Sequence, residues 1–443
     1  MKAIKLKFPT FKSGIHPEES KHFTKSLPIE ILPEPKEVFI PLQQHIGAPC
    51  TPLVEVGDEV KVGQVIGSSD AFVSSPVHAT INGKVKDISR YCTPTGTRSQ
   101  MIHIMSSDEE EPSRDYIEVD WTKLSIDDLK NRIKKAGIVG LGGAAFPTHV
   151  KLSPPEDKPI DTFILNGCEC EPFLTADHRT MLEMPDMVLR GMAIIMKILD
   201  VKKGYIGIES NKPDAIESIQ KSADDYGFKV ITVKTKYPQG AEKMLIKAVK
   251  KRKVPTGGLP MDVGAVVQNV GTAVAVANAV SFEKSLTQRV VTVTGNGIKE
   301  PKNLLVTIGT KFSEVIEFCG DLVDETAQVF MGGPMMGIAQ YDLSVPVIKA
   351  TSGIVCTTNY KQIEPMACIG CGSCIQSCPM FLMPTRLARL SLIRHWSDAD
   401  KMGIMNCIEC GSCAYVCPSN IPLIQWIRVG KQKVYEIQCD LVV

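Results

Sequence analysis

The spacing of hydrophobic positions changes several times along the chain, and each change predicts a different kind of unit. From Val38 the sequence breaks into short alternating pieces, "VFIPL", "PLVEVGDEVKVGQVIG" and "ATINGKVKDI", separated by Gly-Asp and Asn-Gly turns. A period of two with such turns predicts a small all-β unit over 37–105. After a charged linker, "SSDEEEPSRD" (106–115), the period lengthens, and "LSIDDLKNRIKKAG" has the spacing of one helical face. Over 120–285, apolar runs such as "DTFILNG", "KKGYIGIES" and "KVITVKT" alternate with helical stretches such as "MVLRGMAIIMKIL" and "PDAIESIQKSAD". Strand and helix in alternation predict a parallel or mixed sheet covered by helices. Residues 286–350 open "RVVTVTGNGIKEPKNLLVTIGTKFSEVIEFC", which reads as strand, turn, strand and one helix. Residues 355–430 are cysteine-rich and mostly helical. Residues 1–36, polar and proline-rich, predict an arm laid on another surface.

With 443 residues the chain exceeds a single core, so a multidomain α+β protein is expected. The most apolar run, "DVGAVVQNVGTAVAVANAV" (262–280), is broken by Gln268, Asn269, Thr272 and Asn278. It falls short of the roughly 20 apolar residues that span a bilayer, and predicts a buried helix with its lead-in. "MKAIKLKFPTFKSGIHPEES" at the start has charge but no apolar targeting core. No transmembrane segment is therefore expected, which leaves a place on a membrane through a partner open. Lys plus Arg is 50 and Asp plus Glu is 49, which gives no argument for a nucleic-acid partner.

Composition departs from the ordinary in its 15 cysteines, eight of them between 368 and 417. An odd count clustered in this way is not a secreted disulfide framework; it fits reduced thiolates that hold metal. "CIGCGSCIQSCP" and "CIECGSCAYVCP" repeat one C-x2-C-x2-C-x3-C-P pattern, the spacing of two-cluster bacterial ferredoxins. Three thiolates on a tight turn hold three corners of a cubane, and the fourth cysteine, before proline, reaches the other cluster. Cys368, Cys371, Cys374 and Cys417 are thereby assigned to one [4Fe–4S] cluster, and Cys407, Cys410, Cys413 and Cys378 to the other. Zinc is the competing reading, but its sites more often use two separated ligand pairs. Between the runs, 380–406 predicts amphipathic helices in which His395 and Trp396 pack.

Two further stretches carry candidate chemistry. "GIVGLGGAAFPTHVKL" (137–152) is glycine-rich: Gly140, Gly142 and Gly143 remove the Cβ atoms that would keep an anion from the backbone N–H groups, and Lys151 adds a positive charge. "NGCECEP" (166–172) sets Cys168 and Cys170 among carboxylates. Taken alone it is open between a metal clip, a redox pair and a ligand-facing loop.

The β unit resembles the biotinyl/lipoyl-type barrel-sandwich domain, but its tip region, "DAFVSSPVHA", has no lysine to modify, so a structural or docking module is expected rather than a carrier. "GLGGAAFPTHVK" resembles the GRGGAGFPTGxK loop of the complex I flavoprotein subunit, "NGCECEP" its NADESEP, and "QNVGT" (268–272) its NNVET. The resemblance implies an α/β, Rossmann-like domain binding non-covalent FMN and NAD(H). Gly140, Gly142, Gly143 and Lys151 would hold the FMN phosphate, and Asn166, Asn269 and Thr272 the rest of the flavin. Glu169 and Glu171 would bound the nicotinamide as the catalytic side. Cys168 and Cys170 become small side chains of that loop. Leu141 stands where the family has arginine, and Cys168 where it has aspartate. Glu209 and Asn211 fall near the family's NADH-selecting position, with Lys212 beside them. The order of units, with a β-grasp unit and then a helical two-cluster ferredoxin domain, plus "GIHPEESK" (14–21) and "YPQGAEKMLI" (237–246), is similar to the C subunit of Rnf complexes over nearly the whole chain.

That resemblance implies the NAD-facing peripheral subunit, on the cytoplasmic face, of a membrane complex coupling electron transfer between ferredoxin and NAD(H) to Na+ or H+ translocation. Its partners would be the other Rnf subunits, including an iron–sulfur subunit that meets ferredoxin. The alternatives are a soluble flavin and iron–sulfur reductase such as a cobalamin reductase, and a ferredoxin-like docking adaptor with a vestigial flavin loop. The early position of the barrel-sandwich unit favours the Rnf reading over the first, and bound flavin would exclude the second.

Overall fold

The computed structural model describes residues 8–107, 116–358 and 363–440. At its centre lies a parallel sheet in the order Lys229–Val233, Gly204–Glu209, Thr162–Gly167, Ala265–Asn269. Phe163, Leu165, Ile206, Ile208 and Val266 point to one face, under the helices Ile126–Lys135, Pro185–Leu199, Pro213–Ala223 and Val270–Phe282. Ile164, Val233 and Val267 point to the other, under helix Glu242–Lys250. A sheet buried on both faces needs strands that are apolar throughout, which is why "DTFILNG" does not alternate. The run at 262–280 forms the edge strand and then the helix Val270–Phe282, apolar all round and buried. That helix crosses Pro185–Leu199 so closely that a Cβ on Gly191 would lie 1.9 Å from the Ala273 carbonyl oxygen.

The β unit is built of two sheets, one ordered Glu37–Pro41, Arg98–Ser106, Gly83–Cys92, Glu59–Val60 and one ordered Thr51–Pro52, Val65–Ser68, Val77–His78. Val38, Ile40, Ile66, Val85, Ile102 and Ile104 fill the space between them. Its lysine-less tip turns inward: Ser74, Ser75 and His78 are buried, and His78 Nε2 lies 2.8 Å from the Lys135 carbonyl oxygen. Buried Lys349 donates to the carbonyls of Pro76 (2.9 Å) and Gly137 (2.7 Å), joining the barrel, the parallel-sheet unit and its own unit.

The third unit is a mixed sheet ordered Ile29–Ile31, Lys302–Thr307, Gln288–Thr294, Gly353–Thr357, Gln328–Met331, Ile338–Gln340, with helix Phe312–Phe318 on its core. Its first strand comes from the arm, with Ile29 opposite Asn303, and Gly353–Thr357 lies past the bound of 350 read from the sequence. In the cysteine-rich unit, helices Pro384–Leu392, Trp396–Lys401 and Leu423–Asp440 pack through Leu387, Leu390, Ala399, Leu423 and Ile427. Trp396 joins that packing, whereas His395 is exposed and lies 3.4 Å from Asp398. Among the described residues no helix is long and apolar enough to cross a membrane.

Candidate functional site

A cavity of about 570 Å³ opens at the carboxyl ends of the parallel strands, where open α/β sheets hold ligands. Gly140, Gly142, Gly143, Lys151, Asn166, Glu169, Glu171 and Asn269 all line it. The glycine turn closes on itself, Gly140 N–H donating to Phe146 O at 2.8 Å. Gly143 has a φ of +116°, and no atom lies within 4 Å of where its Cβ would be, so this part of the turn offers bare backbone. Lys151 Nζ lies 2.5 Å from Glu242 Oε1 on the wall. Thr272 is fully buried and absent from the wall: its hydroxyl accepts the Leu141 N–H at 2.9 Å and so props the turn from behind. Asn269 caps its helix, accepting the N–H of Gly271 at 2.8 Å, and donates to Asp177 Oδ2 at 2.6 Å.

In the acidic loop, Asn166 donates to Gly240 O at 2.8 Å and accepts the Cys168 N–H at 3.0 Å. The two thiols part company there. Cys168 donates to Gly207 O at 3.4 Å among the apolar residues behind the sheet, and Cys170 accepts the Gly240 N–H at 3.3 Å beside Tyr237 and Cys410. Burial pushes both thiols up, Cys168 well above its ordinary value, so both stay protonated. This geometry fits a ligand-facing loop better than a metal clip.

Glu169 accepts from the N–H groups of Asp177 (2.9 Å) and His178 (3.2 Å), capping the first turn of helix Ala176–Glu183. Glu171 accepts from Met335 N–H at 3.1 Å and Tyr237 O–H at 3.2 Å, and burial raises its carboxyl to about 6. A Cβ on Gly333 would come within 2.2 Å of Glu171 Oε2, so that loop needs glycine. Glu209 is not on the wall. It pairs with Lys212 at 2.7 Å, both 1% exposed, and Asn211 donates to Glu19.

Asp177, Tyr237, Gln268 and Arg289 also line the cavity, and sequence reasoning named none of them as site residues. Burial beside Glu169 raises Asp177 to about 7, and burial lowers Arg289 to about 10. Gln268 is 3% exposed and its Nε2 has no partner within the protein. A buried donor without an acceptor, on the same cavity wall as the open backbone at Gly143, fits a ligand rich in acceptor atoms; a flavin mononucleotide is such a ligand.

A second hollow is lined by Cys378, Cys407, Cys410 and Cys413, and closed by Pro379, Leu382, Ile424 and Ile427. Backbone N–H groups of Leu382 and Glu409 donate to Cys378 Sγ and Cys407 Sγ, each at 3.4 Å, and Lys431 donates to Cys407 O at 2.8 Å. Four free thiols around one hollow, with N–H groups on sulfur, are the donor set of an iron–sulfur cluster. Of the remaining four cysteines, Cys368 and Cys371 are exposed, Cys374 is buried and Cys417 is half-buried. Cys410, with Ile408, also borders the first cavity.

Models of known families match in the same order as these units. The RnfC barrel sandwich hybrid domain matches residues 9–110, the Nuo51 FMN-binding domain 133–278, the SLBB domain 290–339 and a 4Fe-4S dicluster domain 360–418. The chain is 50% identical to the C subunit of the proton-translocating ferredoxin:NAD(+) oxidoreductase complex of Clostridium ljungdahlii, over 96% of this chain and 94% of that one. It is 45% identical to the C subunit of the Na(+)-translocating complex of Acetobacterium woodii, over 97% and 98%. It is 40% identical to the C subunit of the ion-translocating oxidoreductase complex of Rhodobacter capsulatus, over 97% and 84%. The chain therefore belongs to the family of C subunits of the Rnf-type, ion-translocating ferredoxin:NAD oxidoreductase complexes.

Proposed function

We propose that this chain is the peripheral, NAD-facing electron-transfer subunit of such a complex, on the cytoplasmic face of the membrane, where ferredoxin and NAD(H) exchange electrons coupled to Na+ or H+ translocation. The observation that carries this reading is the shared wall: Cys410 borders both the flavin-type cavity and the hollow formed with Cys378, Cys407 and Cys413. We read the parallel sheet as the Rossmann-like FMN and NAD(H) domain and the mixed sheet as the β-grasp unit. FMN, when bound, takes two electrons as hydride and releases them singly.

The residues then divide the work. Gly143 and its neighbours present backbone N–H groups to the phosphate, with Lys151 as the nearby cation and Asn166, Asn269 and Gln268 along the ring. Thr272 supports that turn from behind. Glu171 and Glu169 bound the side on which NADH enters; buried Glu171, held at about 6, is within proton-exchange range at neutral pH. Crossed ligation assigns Cys378 with Cys407, Cys410 and Cys413, and Cys417 with Cys368, Cys371 and Cys374. Exposed Cys368 and Cys371 give the second cluster its access to a partner subunit.

Denaturing the purified chain should release about one FMN per polypeptide, since the cavity supplies one phosphate cradle. Finding FAD, or flavin that stays attached, would sink the assignment. A soluble cobalamin-reductase role is disfavoured by the N-terminal barrel match and by the relatives' names.

A further inference from the structure

The arm does more than lend a strand to the mixed sheet. Residues 9–15 run along the loop 234–239, whose Tyr237 and Pro238 line the cavity. Pro9 O accepts the Lys234 N–H at 3.1 Å, Thr10 Oγ1 donates to Gln239 Oε1 at 2.9 Å, and Lys236 Nζ lies 4.7 Å from the centre of the Phe11 ring. Ile15 pairs with Tyr237 through two backbone hydrogen bonds of 2.9 Å. One residue earlier, Gly14 N–H donates to Ser377 O at 3.0 Å, next to Cys378. Further on, Glu19 O accepts the Phe173 N–H at 2.9 Å and Lys21 Nζ donates to Glu171 O at 2.9 Å. One short segment thus touches the cavity loop, the acidic loop and a cysteine run.

The cysteine-rich unit has few other ties to the rest. Among the described residues three hydrogen bonds join 363–440 to the other units: Gly14 N to Ser377 O, Gly257 N to Asn406 Oδ1 (3.1 Å) and Arg428 Nη2 to Met336 O (3.4 Å). All three adjoin the hollow, through Arg428 beside Ile427, Asn406 beside Cys407 and Ser377 beside Cys378, and only the last is made by the segment that also pairs with the cavity loop at Tyr237. There Ile15 packs with Tyr237 and Cys410 in one small buried cluster. Gly14 has a φ of +77°, and a Cβ on it would lie 2.5 Å from Tyr237 O and 2.8 Å from the Phe11 ring, so the segment fits its groove only with glycine there.

We infer that residues 9–21 are a positioning strap, which fixes the cluster held by Cys378, Cys407, Cys410 and Cys413 against the flavin cavity and so sets the rate at which electrons cross between them. The inference rests on the proposed function: NADH is the two-electron reductant, and each cluster accepts one electron. The strap touches no reacting atom. It acts by holding two units in register, because electron transfer slows as the gap between donor and acceptor widens.

The test compares wild type with Gly14→Ala. Hydrogen exchange of segments 234–240 and 372–380, in protein stripped of flavin, should rise in the variant. In the loaded protein, rapid mixing with NADH should bleach the flavin at the wild-type rate, while cluster reduction slows severalfold. Unchanged exchange together with an unchanged cluster step would overturn the inference. If Gly14→Ala does not fold or load, Ile15→Ala is decisive: it empties part of the cluster around Tyr237 and Cys410 and should slow the same step, and an unchanged rate there also overturns the strap. A wild type whose clusters NADH does not reduce marks failure of the functional reading instead.

Discussion

The cavity and the cysteine hollow hold ligands by opposite constructions. All four thiols of the hollow come from two runs of one helical unit, each run supplying its ligands within twelve residues of sequence. The cavity draws its wall from the glycine turn, the acidic loop, the loop at 237–242, a strand end, Arg289, the 331–338 segment and Cys410. A site made of local spacing is robust to its surroundings. A site assembled from several units depends on how those units are held. The contrast predicts that damage to the hollow is complete and confined, and that damage to the cavity is graded and spreads to its neighbours.

The largest expected effect follows from the hollow. Cys378→Ala should abolish the cluster that Cys407→Ala abolishes and spare the one that Cys371→Ala removes. EPR of the reduced protein separates these cases, because two intact cubanes couple magnetically and a lone one gives a simpler spectrum. The same surviving signal from Cys378→Ala and Cys371→Ala would mean uncrossed motifs.

Glu171→Ala comes next. It takes the acceptor from Met335 N–H and Tyr237 O–H, at a cost of about 1–3 kcal/mol in stability. NADH-driven flavin reduction should fall by about tenfold to a hundredfold, with FMN content and reduction by dithionite retained. Equal loss of bound flavin would make Glu171 a holder of the loop rather than of the nicotinamide.

A smaller effect sharpens the role of the barrel unit as a docked module. Burial beside Lys349 holds His45 at about 4 and His78 at about 3. Both lie below the unfolded value of about 6.5, so the unfolded chain takes up protons that the folded chain refuses. Stability from this interface is full above about pH 6.5 and declines as pH falls towards 4 and then 3, by about 1 kcal/mol or more per shifted unit. Melting temperature against pH should show that acid limb, and His78→Gln should flatten it. An unchanged limb would place the proton uptake elsewhere.

The smallest effect is expected at the acidic loop's thiols. Replacing Cys168 and Cys170 together by serine keeps a donor for Gly207 O and an acceptor for Gly240 N–H. Iron content should be unchanged and NADH activity within a few-fold, as activity assays and iron analysis would show. Loss of about a quarter of the iron or more would revive a metal role.

The same contrast explains what the sequence made legible. Cysteine spacing, the glycine turn and the acidic loop are local patterns, and they named a part of the cavity wall. Asp177 and Arg289 escaped because nothing near them in sequence marks them, and Tyr237 because "YPQGAEKMLI" marked a family rather than a site; the fold brings them to Glu169, Leu141 and Glu171. Thr272 lay on the right element, but a hydroxyl turned inward to Leu141 N–H cannot be told by spacing from one turned to a ligand. Glu209 read as a carboxylate near the nicotinamide-selecting position, with Lys212 adjoining; that the two form a buried pair away from the cavity is a contact of the fold rather than of the motif. The strand Ile29–Ile31 pairs with residues far along the chain, and its short polar surroundings gave no period to read.

The central claim is that one chain takes electrons from NADH at the cavity and delivers them to clusters beside it. Anaerobic rapid mixing of the purified, loaded protein with NADH, followed at flavin and iron–sulfur wavelengths, tests it most directly. Flavin should bleach first and the clusters next, each phase accounting for the NADH consumed. Clusters that dithionite reduces while NADH reduces neither them nor the flavin would contradict it.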